Sequence, residues 1–260
     1  MTLKSLGQIE KMAVAGRLVA DVLDRLGSEL RPGMTTAELD RLAEDMIRGA
    51  GGIPSFIGVP GRIAPYKHSL CISVDEEIVH GVPGSRRIRE GQIVSIDAGA
   101  IIDGWHGDAA RSFIVGDVPA RARELVAATE RAMYAGIAAA QPGNYLSDVS
   151  GAIEDVAREG GYGVIRAFVG HGIGTEMHEE PQVTNYRTGS RGRRIEPGLC
   201  LAIEPMFTLG SHNVQIRDDG WTVVTADGSL AAHWEHTIAV MPDGPRILTW
   251  DPGAVHADAA

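Results

Sequence analysis

The stretch Ser95-Ile96-Asp97-Ala98-Gly99-Ala100-Ile101-Ile102-Asp103-Gly104-Trp105-His106-Gly107-Asp108 contains two β-like runs joined by Asp103-Gly104. Aspartate followed by glycine is a strong signal for a two-residue hairpin turn. Folding about this turn brings Asp97 and Asp108 close together, with an offset of one or two residues that a bulge could absorb. Facing carboxylates normally destabilise a strand pair, and a bridging metal ion removes that penalty. The alternative is two unrelated aspartates beside a turn.

Three more metal-type ligands border apolar runs: His171 in Gly170-His171-Gly172-Ile173-Gly174, Glu204 after Leu201-Ala202-Ile203, and Glu235 between Trp234 and His236. Each alone also has an ordinary structural explanation, although a carboxylate in so apolar a stretch needs a partner. Together with the two aspartates they would place four carboxylates and one imidazole in one pocket. Like charges that close repel, so the cluster requires cations. The five residues predict a two-metal hydrolytic site, in which metal ions generate hydroxide and polarise a carbonyl group.

The composition agrees with a soluble enzyme. The 260 residues are 44% hydrophobic and carry a formal net charge of −10, which disfavours general nucleic-acid binding. We find no apolar stretch long enough for a bilayer and no signal peptide. Only Cys71 and Cys200 are present, so we expect no disulfide framework and a reducing cytoplasm as the compartment. These features predict a cytoplasmic enzyme that binds neither membrane nor DNA.

The order of predicted elements occurs twice. In the first half, helical spacing over 9–26 and a capping-box pattern at Thr35 and Glu38 predict two helices. Predicted strands follow at 70–74, 93–98 and 111–115. In the second half, helices are predicted from near Pro119 to about Gln141 and from about Ser147 to Glu159. Predicted strands then follow at 163–169, 199–204, 212–216, 221–225 and 235–241.

This order predicts an α+β duplication, with helices over one face of a curved antiparallel sheet. The two halves span about 1–117 and 118–250. No linker rich in proline, glycine or serine separates them, so we expect a single catalytic domain over 1–260. Residues 251–260 are predicted to form a loose tail.

Several segments together resemble one known family along nearly the whole chain. They are Cys71-Ile72-Ser73-Val74 through His80-Gly81, Gly104 through Asp108, Gly170 through Pro181, Leu201 through Pro205, Asp219-Gly220-Trp221-Thr222 and Glu235-His236-Thr237. The chain resembles the type I methionine aminopeptidases of bacterial type. The resemblance implies the pita-bread fold, a pseudo-twofold arrangement of two helix–helix–strands units. It also implies a metallo-aminopeptidase, that is, a metalloprotease and hydrolase.

The resemblance implies a role for each of the five ligands. Asp108 and Glu235 would bridge two divalent metal ions, Asp97 would chelate one, and His171 and Glu204 would hold the other. Oxygen-rich ligation with one imidazole suits Co, Mn or Fe, and Zn is also compatible.

The activity implied is excision of an N-terminal methionine by hydrolysis of the first peptide bond, with a small second residue favoured. The catalytic residues would be Glu204 as proton acceptor and donor, His178 as hydrogen-bond donor to the developing oxyanion, and His80 beside the scissile amide. Substrate binding would involve His80 and His178 together with a methionine pocket formed by Cys71, Tyr66, Met177 and Trp221. Core packing is the alternative for Cys71 and Trp221. The stretch 59–68 and Met177 depart from the commonest family pattern, so this pocket wall is not defined by the resemblance.

Two other functions share the fold. A proline-directed aminopeptidase or dipeptidase usually carries a large additional amino-terminal domain, for which this chain has no room. A non-catalytic pita-bread binding protein typically lacks several ligands, and all five are present here. We expect a monomer whose substrate is a peptide or nascent-chain N-terminus. A basic cluster at 187–194, with Arg187, Arg191, Arg193 and Arg194, is either a solvated loop or a transient ribosome contact.

Overall fold

The computed structural model describes residues 2–250, so the tail predicted at 251–260 lies outside the described residues. The helices of this part of the chain are α1 (Leu6–Glu29), α2 (Thr36–Gly49), α3 (Ala120–Ala139) and α4 (Leu146–Gly160). They lie where the sequence predicts them. The predicted capping box is confirmed, because the Thr35 hydroxyl accepts the amide of Glu38 and the Glu38 carboxylate accepts the amide of Thr35. Within residues 2–250, no helix combines the length and apolar character needed to cross a membrane.

Fifteen strands are found in the described residues. They are β1 (Ile53–Pro54), β2 (Leu70–Val74), β3 (Glu77–Val79), β4 (Gln92–Ile102), β5 (Trp105–Val115), β6 (Gly163–Val164), β7 (Gly170–Gly172), β8 (Glu179–Val183), β9 (Cys200–Ile203), β10 (Met206–Thr208), β11 (Val214–Ile216), β12 (Val223–Thr225), β13 (Ala231–His233), β14 (Glu235–Met241) and β15 (Gly244–Ile247). The predicted strands 70–74 and 235–241 match β2 and β14 residue for residue.

Four predicted strands are longer than those observed. The strands predicted at 199–204 and 212–216 extend one or two residues beyond β9 and β11. The strand predicted at 163–169 ends at Val164, and the chain bends at Ala167 and Phe168 before β7 begins. The Phe168 ring instead packs edge-on against His80, with ring centroids 5.2 Å apart. The strand predicted at 221–225 begins only at Val223. Its first two residues instead follow the turn at Asp218 and Asp219, where the Trp221 and Thr222 amides both donate to the Asp219 carboxylate.

The main sheet has nine strands in the path β1-β4-β5-β14-β9-β7-β8, with β2 paired to β4 and β15 paired to β14. All of its pairs are antiparallel. The pairing of β5 with β14 joins the first helix–helix–strands unit to the second. The prediction of a curved antiparallel α+β fold is therefore confirmed.

The helices cover one face of this sheet. Under α1 and α2, Leu23 packs in a fully buried cluster with Val94 and Ile96 of β4. Under α3 and α4, Met133 packs in a second cluster with Ile203 and other strand residues. Residues 94 and 96 point to one face of β4, so residues 97 and 99 point to the opposite face. Asp97 and Gly99 therefore lie on the face opposite these helices.

A close approach of α1 to β5 leads to the first prediction. A Cβ atom at Gly107 would lie 2.6 Å from the backbone nitrogen of Gly16, whereas a Cβ at Gly7 would meet nothing within 4 Å. We expect Gly107→Ala to lower the free energy of unfolding by about 1–3 kcal/mol, because overpacking forces the helix away from the strand. Gly7→Ala should leave it unchanged or raise it by up to about 1 kcal/mol. Urea denaturation measures both, and equal midpoints would refute the close packing.

Candidate active site

Strand register places the predicted ligands on the face opposite the helices. The hairpin predicted at Asp103-Gly104 is confirmed, with φ of 49° and 78° at these residues. β4 and β5 pair in continuous register, with Asp97 opposite Ala110 and Gly99 opposite Asp108. Asp97 and Asp108 are therefore diagonal neighbours on one face, and the bulge allowed for in the sequence analysis is not needed. Their carboxyl groups interact with each other.

The same face continues across the sheet on both sides of this hairpin. Cys71 of β2 lies opposite Asp97, and Glu235 of β14 lies opposite Ala110. On the far side, His171 of β7 lies opposite Ala202 of β9, and Glu204 follows at the end of that strand. The Nε2 atom of His171 is 3.5 Å from Oε1 of Glu204. The sheet therefore brings all five predicted ligands to one region.

The chemistry of this group fits a divalent cation. Ligand atoms of Asp108, His171 and Glu235 all lie within 4.8 Å of one another. One oxygen each of Asp97, Asp108 and Glu235 is buried without a hydrogen-bond partner, which is unusual for a buried polar atom. Nδ1 of His171 donates to its neighbour's carbonyl at 2.9 Å, which leaves the Nε2 lone pair free for a metal ion. These carboxylate oxygens and the Nε2 atom of His171 could therefore serve as ligands of a divalent ion.

Burial changes the acidity of these carboxyl groups. Desolvation raises the pKa of Asp97 to about 7. The pKa values of Asp108, Glu204 and Glu235 are raised well above the usual range, first by burial and then by the neighbouring carboxylates. Burial disfavours the charged form of a carboxyl, and nearby like charges add to that effect. A bound cation favours the charged form of a carboxyl and would offset both effects.

All predicted site residues line one cavity of about 70 Å³. Its walls are Phe56, Val59, Tyr66, Cys71, His80, Asp97, Asp108, His171, Met177, His178, Glu204, Trp221 and Glu235. Phe56 and Val59 are the two wall residues that were not predicted. Phe56 lies outside every quoted motif, and Val59 begins the stretch 59–68 that the resemblance left undefined, so the three-dimensional structure places both in the wall.

One side of the cavity is apolar. Phe56, Tyr66, Cys71 and Met177 form a buried cluster, against which Trp221 packs. The Tyr66 and Trp221 rings meet edge to face with centroids 4.9 Å apart. The stretch 59–68, whose role the resemblance left undefined, supports this side, because the Trp221 indole nitrogen donates to the carbonyl of residue 64 at 3.2 Å. The apolar pocket is thus directly adjacent to the carboxylates.

His80 and His178 lie at the polar side of the cavity. The rings of His171 and His178 are 4.4 Å apart. His80 has a φ of 59°, a left-handed conformation that is uncommon for residues other than glycine and is often found at functional positions. Burial lowers the pKa of His80 to about 4, and it also lowers the pKa of His178. Both imidazoles are therefore neutral near pH 7 and can donate an N–H.

A further histidine was missed by the sequence analysis. Nε2 of His233 lies 3.7 Å from Oε2 of Glu204 and has no hydrogen-bond partner among the described residues. Burial lowers the pKa of His233 to about 3. Glu204 is thus flanked by His171 on one oxygen and by His233 on the other. The only sequence signal for His233 was its position two residues before Glu235.

Comparisons with known proteins agree with this geometry. Residues 10–242 match the model of metallopeptidase family M24. The chain belongs to metallopeptidase family M24. A methionine aminopeptidase from Clostridium perfringens is 47% identical over 247 residues, which cover 95% of this chain and 98% of that protein. Membership of M24 implies divalent metal ions, in agreement with the cluster.

Solved structures of M24 proteins share the fold. The crystal structure of methionine aminopeptidase from Thermotoga maritima has a TM-score of 0.92 at 41% identity, covering 96% of this chain and 100% of that chain. A prolidase from Pyrococcus horikoshii has a TM-score of 0.77 at 22% identity, covering 95% of this chain and 63% of that chain. The latter likeness shows the fold alone. The resemblance noted in the sequence and the pita-bread fold are both confirmed.

Proposed function

We propose that this protein removes the N-terminal methionine from peptides and nascent proteins by metal-dependent hydrolysis of the first peptide bond. The observation that carries the proposal is one cavity that joins a carboxylate–imidazole cluster to an apolar pocket. The identity to proteins named methionine aminopeptidase over almost the full chain supports it. The test is release of free methionine from Met-Ala-Ser by the purified protein with added metal.

The metal-binding part of the proposal assigns five residues. Asp97, Asp108, His171, Glu204 and Glu235 would hold two divalent ions, with Asp108 and Glu235 shared between them. The unsatisfied oxygens of three of these carboxylates support this assignment. Co, Mn, Fe or Zn suits such a donor set. When bound, such ions polarise a carbonyl group and provide a nucleophile at neutral pH.

The apolar pocket would take the methionine side chain. Tyr66, Cys71, Met177 and Trp221 present apolar surface there, and burying a methionine side chain contributes roughly 1.5–3 kcal/mol. Cys71 lies opposite Asp97 in the strand register. A substrate whose methionine side chain packs against Cys71 would therefore have its backbone beside the carboxylates. This arrangement would hold the first peptide bond of the substrate against the cluster.

Three polar side chains would handle protons and charge. Glu204, flanked by two histidines, would accept a proton and return it to the leaving amine. His178 would donate its N–H to the carbonyl oxygen as negative charge develops there. His80 would lie beside the scissile amide and the second residue. The lowered pKa values of both histidines support these roles, because neutral imidazoles keep an N–H without adding charge.

The role of His178 leads to a prediction. We expect His178→Ala to lower kcat by roughly a hundredfold or more, the usual effect of removing one oxyanion donor. Metal content should be unchanged, because His178 is not proposed as a ligand. His212→Ala, at an exposed histidine, is the matched control and should be neutral. Steady-state kinetics and metal analysis test this, and loss of metal from His178→Ala would contradict the assigned role.

The alternatives differ in substrate. A proline-directed aminopeptidase or dipeptidase would cleave Ala-Pro-Ser in preference to Met-Ala-Ser, and a non-catalytic binding protein would cleave neither. The likeness to prolidases extends to the fold alone and does not favour the first alternative. The intact five-residue cluster argues against the second.

The proposal also covers the setting of the reaction. We propose a cytoplasmic monomer with one catalytic domain, acting on nascent chains. The predicted ribosome contact at 187–194 would have to compete with internal partners. Arg187 pairs with Glu154 and Asp155, and the Arg191 guanidinium lies 4.0 Å from the ring centroid of Tyr145. These contacts support the solvated-loop alternative, and ribosome binding stays a prediction.

A further inference from the structure

The amino-terminal segment lies against a loop of the cavity. We call residues Leu3–Ser5 the amino-terminal brace and residues 174–178 the His178 loop. Lys4 is only 7% exposed, and its Nζ donates to Oε2 of Glu179 at 2.5 Å. Its backbone amide donates to the carbonyl of Gly198 at 2.7 Å. Ser5 then caps α1. Three contacts therefore hold the brace: the Lys4–Glu179 ion pair, the hydrogen bond from the Lys4 amide to Gly198, and the Ser5 cap of α1.

The partner of Lys4 holds the His178 loop from its other oxygen. Oε1 of Glu179 accepts the amide of Thr175 at 3.1 Å. A Cβ atom at Gly174 would lie 2.3 Å from that oxygen and 2.6 Å from Cε of Lys4, so the ion pair packs directly against the loop backbone. The loop carries Met177 and His178, both of which line the cavity.

A buried ion pair is a poor source of stability. Removing two charges from water costs about as much as their attraction returns, and apolar replacements of similar size are often neutral or better. Lys4 and Glu179 have side chains that are only 4% and 15% exposed. What this pair provides is a fixed geometry, because the ammonium and the loop amide are bound by two oxygens of one carboxylate.

We propose that Lys4 is a positioning residue for the reaction. Its ion pair with Glu179 fixes the His178 loop, so that Met177 and His178 face the substrate in the cavity. Neither Lys4 nor Glu179 contacts the substrate in this account. The inference rests on the proposed function for its kinetic consequence, but the ordering of the loop can be measured without substrate.

The kinetic test uses the full chain. Lys4→Met should lower kcat on Met-Ala-Ser about tenfold or more, because small misplacements of a catalytic group are costly. The matched control is Lys11→Met, at an exposed lysine of α1, which should stay within twofold of wild type. Metal content should be unchanged. In a His178→Ala background, Lys4→Met should lower kcat by less than about twofold, because the effect of Lys4 on kcat acts through His178, whereas its effect on Met177 would change KM. An equal loss in both backgrounds would indicate a merely structural role and overturn the proposal.

The second test measures amide hydrogen exchange in the metal-free protein. Lys4→Met should speed exchange at the Thr175 amide about tenfold, because its acceptor Glu179 is no longer anchored. Exchange in the middle of β4 should not change. If Lys4→Met does not fold, Lys4→Met/Glu179→Gln removes both charges and leaves none buried alone, and the same increase is expected. Exchange at Thr175 equal to that of Lys11→Met overturns the proposal whatever the turnover. A wild-type protein that cleaves no peptide would refute the proposed function and leave this test intact.

Discussion

Asp108→Asn is expected to abolish turnover, with kcat/KM lowered on the order of 10³-fold or more. A neutral amide cannot bridge two cations as a carboxylate does. The charge stabilisation that bound metal supplies is several kcal/mol, and each loss of about 1.4 kcal/mol costs a factor of ten in rate. Asp108 lies at the centre of the cluster, because its carboxylate is close both to His171 and Glu235 and to Asp97.

Two further measurements show that this effect acts through the metal. Added metal should raise the melting temperature of the wild-type protein, because a ligand that binds only the folded state stabilises it. The same addition should raise that of Asp108→Asn much less. Asp45→Asn, at an exposed aspartate of α2, is the matched control and should behave as wild type. Near-normal turnover of Asp108→Asn with added metal would contradict the bridging role.

The second large effect concerns the residue after methionine. We expect Met-Ala, Met-Gly and Met-Ser peptides to be cleaved at least about a hundredfold better than Met-Lys or Met-Phe, the scale that a misplaced reacting group costs. The His80 ring lies against Phe168 and Trp221, with centroid distances of 5.2 and 6.3 Å. The resemblance to methionine aminopeptidases implies a narrow space beside His80. A large second side chain would keep the scissile bond out of its transition-state position. The difference between peptides should therefore appear in kcat/KM.

The methionine side of the cavity should be more tolerant. Met177 contributes a flexible thioether to the apolar pocket, and such side chains adapt to different shapes. Peptides that begin with norleucine or leucine should therefore be cleaved measurably, with the same preference for a small second residue. Comparable rates on Met-Ala-Ser and Met-Lys-Ser at saturating metal would overturn the selectivity assignment.

Local sequence signals predicted the elements that carry the site. Asp103-Gly104 identified the hairpin because few residue pairs adopt two consecutive positive φ angles. Apolar runs identified β2 and β14, because both strands are buried along almost their whole length. The spacing of buried apolar residues identified α1, and the capping box at Thr35 and Glu38 identified the start of α2. These features depend on neighbours in sequence, so the sequence alone reveals them.

Long-range features could not be predicted from the residues alone. The pairing of β5 with β14 joins positions 125 residues apart, since Ala110 faces Glu235. The wrong strand at 163–169 arose because its apolar run does not show that Phe168 leaves the sheet to meet His80. β3 and β13 are three residues long, too short for a periodic signal, and β13 carries the missed His233. The roles of His80 and His178 came from the resemblance to a family and not from any pattern.

The most direct test of the proposed function is a methionine-release assay. The purified full chain, loaded with Mn or Co, is incubated with Met-Ala-Ser and separately with Ala-Pro-Ser, and the free amino acid is quantified. We predict rapid release of methionine from Met-Ala-Ser, loss of that activity on chelation, and no comparable cleavage of Ala-Pro-Ser. A metal-loaded, folded protein that releases no methionine, or that prefers Ala-Pro-Ser, would contradict the proposed function.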